Sequence, residues 1–364
     1  MIKVVHFCSD TNVGGAGVTL HRLLKCSDKS IFEHYVVLPD LSSLSTMFES
    51  LDVKTIYYSS TADRSFSFCA LREFKSIIKE IAPHIVHTHG LVSARIAAYL
   101  CGVRSRIYTR HTYSETMPSL AFRFINNLIT TKAVAVNDVL IDQMISCGID
   151  KEKILKIENG CGSGTDNVAY LLNESPMNDS FTLMYHGRII KEKGLDVALS
   201  AMSKLKKENI KINLYIVGEG DHKAELKRKT GMLDISDRVT FFPYTKDVFS
   251  LLRSADASIN CSYQAEGTSN SIIEAMSAGK PVIASRVGGN INLIEHEKNG
   301  LLFCSGDADA FCECVLRIAS DSCLYKELSE GALDTYKKRF TEEKMTQRYE
   351  ALWKDEYKKY YENE

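Results

Sequence analysis

The segment "EGTSNSIIEAMSAGKPVIAS", Glu266–Ser285, indicates the fold because a loop, a helix start and a strand follow one another closely. Its first residues are small or polar and include Gly267, which predicts a loop. Ser269 or Asn270 is the predicted N-cap of a helix whose apolar residues follow at helical spacing. Gly279 ends that helix, and the β-branched run after it predicts a buried strand. A helix that leads directly into a buried strand is typical of an α/β sheet.

Two carboxylates flank the start of this helix. Glu266 lies in the loop, and Glu274 lies on the second helical turn. The first amides of a helix lack intrahelical partners and the helix dipole is positive there, so such an end favours an anion. The segment therefore predicts an anion site bounded by two glutamates.

Strand-like and helix-like segments alternate along nearly the whole chain of 364 residues. This alternation predicts parallel sheets with helices on both faces, and the length predicts two domains. A polar stretch rich in Gly, Ser and Asn predicts a linker at 166–179, between domains at 1–165 and 180–335. The last helix, within 336–364, is expected to pack back toward the first domain. Two such domains leave a cleft between the carboxyl edges of their strands, where these sheets bind ligands.

The composition is that of a soluble globular protein, with 45% hydrophobic residues and a net charge of −1. Nucleic acid is therefore not an expected partner. The eleven cysteines include no CxxC and the histidines are not clustered at ligand spacing, which favours reduced, core-packed thiols over disulfides or a zinc site. The N-terminal apolar run is too short for a signal peptide, and no run approaches the ~20 residues that cross a bilayer. A cytoplasmic protein that can rest on a membrane surface is expected.

A cationic turn follows the first strand of the second domain. In "HGRIIKEKGLD", Arg188 and Lys193 stand at a strand–helix junction, and Gly194 permits a tight turn. Arg binds phosphate as a planar fork and Lys as a point charge, so the two predict a diphosphate site. The alternative is a solvated turn, which suits Lys191 and Glu192.

A Gly-rich turn follows the first strand of the chain. The sequence "VGGAGVTL" places Gly14 and Gly15 where the backbone can approach a phosphate closely. The full GxGxxG spacing of a dinucleotide site is missing, so a phosphate contact is predicted and an NAD site is not.

The first domain also contains polar candidates. "HIVHTHG" ends a strand with His87 and His89 on one face, and His89 at the carboxyl edge is the candidate to bond a substrate hydroxyl or share its proton. A satisfied interior histidine is the alternative, and it suits His87 better. Arginines interleaved with aromatic residues at 104–123 face an anionic acceptor, lipid headgroups or only solvent. Arg110 and His111 are the candidate acceptor contacts.

In combination, these motifs resemble the retaining glycosyltransferases of family four. The resemblance rests on Glu266 and Glu274 as an E-x7-E pair, on the "GR…KG" turn of Arg188 and Lys193, and on the "EAMSAGKPVIASRVGG" and "NGLLF" segments. "GGAG" and "HTHG" come earlier in the chain, as in that family. The resemblance implies the GT-B architecture, an α/β fold with two doubly wound Rossmann-like domains facing a central cleft.

The resemblance also implies roles for individual residues. Arg188 and Lys193 hold the donor diphosphate, and Glu274 bonds the ribose hydroxyls. His89 reaches the transferred sugar as a catalytic residue, together with Glu266. The remaining implied donor contacts are Gly14, Gly15, Gly267, Thr268, Ser269 and Asn270.

Other features that the resemblance implies concern the base and the metal. Pro243 and Tyr244 belong to the base-binding loop, where Pro243 replaces the usual Gly. The segments "EGTS" and "ENGCG" also depart from the usual "EGFG" and "PNG-x-D". Such enzymes need no metal ion, and this chain has no Asp-x-Asp after a strand to hold one.

The activity implied by the resemblance is transfer of a sugar, with retention, from a UDP- or GDP-linked donor to a saccharide or lipid-linked acceptor. The implied setting is lipopolysaccharide or capsule assembly at the inner face of the membrane. The alternatives are a nucleotide-sugar 2-epimerase or sugar synthase of the same fold, a non-catalytic sugar-nucleotide sensor and a dinucleotide-dependent oxidoreductase. An oxidoreductase has no use for the glutamates and cations, and a sensor does not need His89. The sequence identifies neither the sugar nor the base.

Overall fold

The computed structural model describes residues 1–11, 14–59, 67–113, 118–164, 180–245, 247–264 and 267–362. The chain divides into two compact units, Met1–Gly160 with Glu342–Glu364, and Cys161–Thr341. The predicted linker at 166–179 lies outside the described residues.

The described part of the first unit forms a seven-stranded parallel sheet in the order β3-β2-β1-β4-β5-β6-β7. Its strands are β1 Ile2–Cys8, β2 Phe32–Pro39, β3 Lys54–Tyr58, β4 Ile85–His89, β5 Ser105–Arg110, β6 Lys132–Ala135 and β7 Ile154–Lys156. Its helices are α1 Gly15–Cys26, α2 Ser45–Glu49, α3 Phe68–Ile81, α4 Val92–Leu100, α5 Leu120–Leu128 and α6 Asp138–Ser146. The central strands are almost wholly buried, as expected where helices cover both faces of a parallel sheet.

The second unit, over its described residues, forms a six-stranded parallel sheet in the order β10-β9-β8-β11-β12-β13. Its strands are β8 Phe181–His186, β9 Ile212–Val217, β10 Val239–Phe242, β11 Ala257–Asn260, β12 Val282–Ser285 and β13 Gly300–Phe303. Its helices are α7 Leu195–Lys207, α8 Lys223–Met232, α9 Val248–Ser254, α10 Asn270–Ser277, α11 Asn290–Leu293, α12 Ala308–Ser320 and α13 Ser322–Arg339. Two doubly wound Rossmann-like sheets confirm the predicted fold class.

The C-terminal helix, α14 Glu342–Tyr357, belongs to the first unit and packs against α1. Tyr349 and Trp353 are fully buried in one hydrophobic cluster with Leu20 and Leu24 of α1. The largest aromatic side chains of α14 therefore form part of the core of the first unit.

The boundaries of the units differ from those expected. Tyr336 and Phe340 are buried in the core of the second unit, so this unit extends to Thr341 rather than to residue 335. The Phe340 carbonyl accepts a 2.9 Å hydrogen bond from the amide of Cys161, and the Tyr336 hydroxyl donates to the Cys161 carbonyl at 3.0 Å. The second unit therefore begins at Cys161, earlier than the expected linker.

All eleven cysteines are free thiols. The expected packing in the core holds for only part of them, because Cys69, Cys304 and Cys323 are exposed. Among the helices of the described ranges, none has the length and apolarity needed to span a bilayer.

Candidate functional site

In the second unit, the strand order reverses at β8. From β8 the chain adds β9 and β10 on one side, and then β11, β12 and β13 on the other. Ligands of doubly wound sheets bind at the carboxyl edge where this reversal occurs. The loops after β8 and β11 therefore form the candidate site of this unit.

The loop after β8 carries the two predicted cations. Arg188 is exposed and Lys193 is half-buried, and a short 3-10 turn ends at Lys193. Gly194 follows with φ 64°, and a Cβ there would lie 2.1 Å from the carbonyl oxygen of Cys261. Only glycine fits this close approach, which brings the cationic loop against the loop after β11.

Glu274 on α10 forms a hydrogen bond with the last residue of β8. Its Oε2 lies 2.9 Å from Nε2 of His186, and the two side chains are only 12% and 7% exposed. His186 precedes Arg188 by two residues, so this bond holds the carboxylate at the same sheet edge as the cationic loop. Sequence reasoning missed His186, because a histidine at the end of a strand carries no signal of its partner.

The start of α10 differs in detail from its prediction. Ser269 is the N-cap residue, but its side chain makes no capping hydrogen bond. Instead Oγ of Ser269 accepts a hydrogen bond from Nδ2 of Asn260 at 3.1 Å and lies 2.9 Å from Oγ of Ser271. Asn260 is the last residue of β11, so its amide fixes the loop before α10 to the sheet edge.

The other predicted donor residues of this unit lie around the same edge. Gly267 is buried. Thr268, which precedes the N-cap Ser269, and Asn270, the first residue of α10, are half-buried. Glu266, the second predicted catalytic residue, lies outside the described residues. Pro243 and Tyr244 are exposed after β10, which is the edge strand two places from β8.

The "IVGEGD" turn has a packing role. A Cβ on Gly218 would lie 2.0 Å from the carbonyl oxygen of Gly187, and one on Gly220 would lie 2.1 Å from that of Ile189. These glycines let the loop after β9 pass against the loop after β8.

In the first unit the direction of sheet building reverses at β1, beside β4. His89 is the last residue of β4, and Gly14 and Gly15 are the N-cap and the first residue of α1, which follows β1. The topology thus brings these predicted residues to the one sheet edge where doubly wound folds bind ligands.

A layer of histidines surrounds His89 on one side of this sheet. Its members are His6, His34, His87, His89 and His111, next to Tyr349 and Trp353 of α14. Nδ1 of His89 lies 3.0 Å from Nε2 of His111. Burial lowers the pKa of His87 to about 3 and that of His111 to about 4, and holds the pKa of His89 well below its usual value. At neutral pH His89 is therefore an uncharged hydrogen-bonding group.

Three arginines of the basic stretch donate hydrogen bonds to backbone carbonyls. Arg106 donates to the carbonyls of Leu128 and Ile129 at the C-terminal end of α5, and Arg104 donates to the carbonyl of Tyr360. Arg110, a predicted acceptor contact, is half-buried and donates to the carbonyl of Thr112. His111, the other one, is half-buried and stacks on His89.

Helix α5 is turned with its apolar residues outward. Leu120 is 80% exposed and Phe124 is 72% exposed, with Leu128 one helical step further along. The one buried side chain of α5 is that of Asn126, whose Oδ1 accepts a 2.5 Å hydrogen bond from the buried Arg95. This polar anchor holds the apolar face of the helix toward solvent.

Two family models match consecutive parts of the chain. Residues 13–161 match the model described as "Glycosyltransferase Family 4". Residues 180–321 match the model described as "Glycosyl transferases group 1". The two matches together include most of both units.

Curated relatives point the same way. The chain is 33% identical over 176 residues to the lipopolysaccharide core biosynthesis glycosyltransferase LpsD of Rhizobium meliloti, covering 48% of this chain and 50% of that protein. It is 26% identical over 287 residues to the UDP-Gal:alpha-D-GlcNAc-diphosphoundecaprenol alpha-1,3-galactosyltransferase of Escherichia coli, covering 70% and 72%. The chain thus spans about half the length of the first of these relatives.

The fold is shared with a solved structure. HepE of Anabaena, in complex with UDP and glucose, superposes with a TM-score of 0.81 and 18% identity, covering 98% of this chain and 100% of that one. Identity this low establishes a shared fold and leaves the ligand open.

Proposed function

The chain belongs to the family-four glycosyltransferases, and from this premise we propose that it transfers a sugar from a nucleoside diphosphate sugar to a saccharide acceptor. The observation that carries the proposal is the bond between Glu274 and His186 at the strand edge, two residues before Arg188. It holds a carboxylate, which can accept bonds from a ribose diol, next to a loop with two cations that suit a diphosphate.

The donor is a UDP-linked sugar. HepE binds UDP and glucose, and the name of the E. coli relative specifies UDP-galactose, which support a uridine nucleotide. Arg188 and Lys193 neutralise the leaving diphosphate, and the amides at the start of α10 face the same charge. Gly14 and Gly15 contact the phosphate, and the loop of Pro243 and Tyr244 receives the base.

Transfer proceeds with retention and without a metal ion at the diphosphate. The two cations and the helix end provide the positive charge that a divalent cation otherwise supplies. Glu266 and the neutral imidazole of His89 align the sugar hydroxyls as charge develops at the anomeric carbon. Activity in EDTA tests this point: turnover that is lost and then restored by Mg²⁺ or Mn²⁺ would contradict it.

The acceptor is lipid-linked, and the protein acts at the inner face of a membrane. The names of relatives in lipopolysaccharide and capsule synthesis support this setting. The outward apolar residues of α5, Leu120, Phe124 and Leu128, suit a lipid surface. Flotation with phosphatidylglycerol vesicles should carry the protein upward, and Phe124→Ser should reduce the bound fraction severalfold. Equal flotation of the two proteins would remove α5 from the membrane contact.

A thermal-shift panel of UDP, GDP, ADP and NAD tests the donor class. UDP should raise Tm because a ligand that binds only the folded state stabilises it by RT ln(1 + [L]/Kd). Stabilisation by NAD alone would favour an oxidoreductase. Conversion of a nucleotide sugar without acceptor would favour an epimerase.

A further inference from the structure

Three buried histidines of the first unit converge across two neighbouring strands. In the parallel pairing of β1 with β4, His6 lies opposite His87, and His89 is two residues further along β4 on the same face. One ring nitrogen from each of the three lies within 4.8 Å of the others. His6 is 81 residues before His87 in the chain, so sequence spacing alone does not indicate that the three histidines converge.

Each of these rings has one nitrogen with no hydrogen-bond partner in the part of the chain that the structure describes. Nδ1 of His6, Nδ1 of His87 and Nε2 of His89 are buried and accept or donate no hydrogen bond among the described residues. The side chains are 0%, 0% and 5% exposed. Buried polar atoms are nearly always satisfied in folded proteins, so three unsatisfied nitrogens on rings whose centroids lie 4.4 to 5.9 Å apart call for a shared partner.

The other nitrogens of these rings are already engaged. Nε2 of His6 lies 3.1 Å from Nδ1 of His34, whose Nε2 lies 2.9 Å from Oγ of Ser27. Oγ of Ser27 donates to a carboxylate oxygen of Glu350 at 3.0 Å. If each imidazole donates outward along this chain, the protons end at the carboxylate and Nδ1 of His6 keeps its lone pair.

The same pattern holds for the other two rings. Nε2 of His87 lies 2.7 Å from Oγ1 of Thr109, and Nδ1 of His89 lies 3.0 Å from Nε2 of His111. Outward donation leaves lone pairs on Nδ1 of His87 and Nε2 of His89. Metal-binding histidines usually donate their second N–H to a neighbouring group in this way.

We propose that His6, His87 and His89 form a site for one divalent transition-metal ion, with Zn²⁺ as the ion that fits it best. Neutral imidazole suits Zn²⁺, and three protein nitrogens leave one coordination position for water. Zn–N bonds of about 2.0–2.1 Å place tetrahedral ligand atoms about 3.4 Å apart, and one nitrogen of each ring already lies within 4.8 Å of the others. The bound ion would join β1 to β4 beneath α14.

The site differs from a metal site at the diphosphate, but it shares His89 with the proposed transfer reaction. An ion on Nε2 of His89 would face the sugar through its bound water, because Nδ1 of His89 is already engaged by His111. Imidazole ligands do not select Mg²⁺ or Mn²⁺, which are the ions that bind between phosphates. His89 stands at the carboxyl edge of β4, and the next residue, Gly90, is exposed.

The position of the only tryptophan provides a direct assay. The indole ring of Trp353 has its centroid 5.4 Å from that of His6 and 6.1 Å from that of His87. Untagged protein, freed of metal with a chelator, is titrated with Co²⁺ while its fluorescence and visible absorption are recorded. We expect fluorescence quenching that saturates at one Co²⁺ per chain. We also expect the visible absorption band that is typical of Co²⁺ with few ligands. Zn²⁺ should displace the Co²⁺, Mg²⁺ should not, and one equivalent of Zn²⁺ should raise Tm.

Ligand variants distinguish this site from adventitious binding. His6→Asn and His89→Asn should each lower Co²⁺ affinity at least tenfold, whereas His21→Asn, a half-buried histidine of α1 outside the layer, should bind like the wild type. Circular dichroism identifies a variant that fails to fold. In that case, the Co²⁺ titration of the wild type alone tests whether the site exists. Absence of saturable quenching in the wild type, or equal quenching in folded ligand variants, would overturn the site and leave water as the partner of these nitrogens.

Discussion

Replacing Glu274 by Gln should separate donor binding from the chemical step. The substitution preserves the side-chain volume and is compatible with the helix. In the wild type, Nε2 of His186 lies 2.9 Å from the carboxylate, and the amide oxygen of Gln can still accept a hydrogen bond from it. What is lost is the negative charge. Hydrogen bonds to charged groups contribute about 1.5–3 kcal/mol, which corresponds to about a 10- to 150-fold rise in donor KM and in the Kd of the nucleoside diphosphate. The kcat should change less, because the ribose contact is the same in ground and transition states.

His186 should act through Glu274. His186→Phe keeps a ring in the buried position and removes one hydrogen bond, so donor KM should rise about threefold to tenfold. The double variant should be no worse than Glu274→Gln alone, because the two side chains form one unit. Glu313→Gln, an exposed glutamate on α12, is the matched control and should leave both constants unchanged. Steady-state kinetics and calorimetry measure these values. A fall in kcat at constant KM, or additive effects of the two changes, would refute this reasoning.

The other predictions concern the cations, the second glutamate and the support of α5. Lys193→Ala should lower kcat/KM about 10- to 1000-fold, as for a lost charge-stabilising donor. Lys191 is an exposed residue of the same loop, and Lys191→Ala is the control that should leave kcat/KM unchanged. If Lys193→Ala had the kinetics of the wild type, Lys193 would not belong to the site. Glu266→Gln should mainly lower kcat, and a change confined to donor KM would mean that the two glutamates have exchanged roles. Asn126→Ala removes a buried partner of Arg95 and should lower the free energy of unfolding by about 1.5–3 kcal/mol; unchanged urea denaturation would contradict this.

The sequence was sufficient for the fold because periodicity and turn residues are local signals. Alternating strands and helices predicted both sheets, and the loop before Asn270 predicted the start of α10. The position of Glu274 four residues after Asn270 also predicted that it lies on the second turn of α10, as it does in the structure. The family that these motifs suggested is the one that the family models match.

Contacts between residues that are distant in the chain could not be predicted from the sequence. His186 and Glu274 are 88 residues apart, and their contact depends on which strand lies beside α10. The histidine layer depends on the register of β1 against β4, which no local pattern encodes. The periodicity of α5 defines an apolar face, but only the buried Asn126 determines that this face points outward.

The central claim is sugar transfer from a nucleotide donor, and product analysis tests it most directly. The protein is incubated with UDP-sugars and a pool of lipid-linked acceptors extracted from membranes, and released UDP is measured alongside the glycosylated product. We predict one UDP per sugar transferred, dependence on acceptor, and a product whose new linkage keeps the anomeric configuration of the donor. UDP release without any glycosylated product, or a product of inverted configuration, would contradict the account.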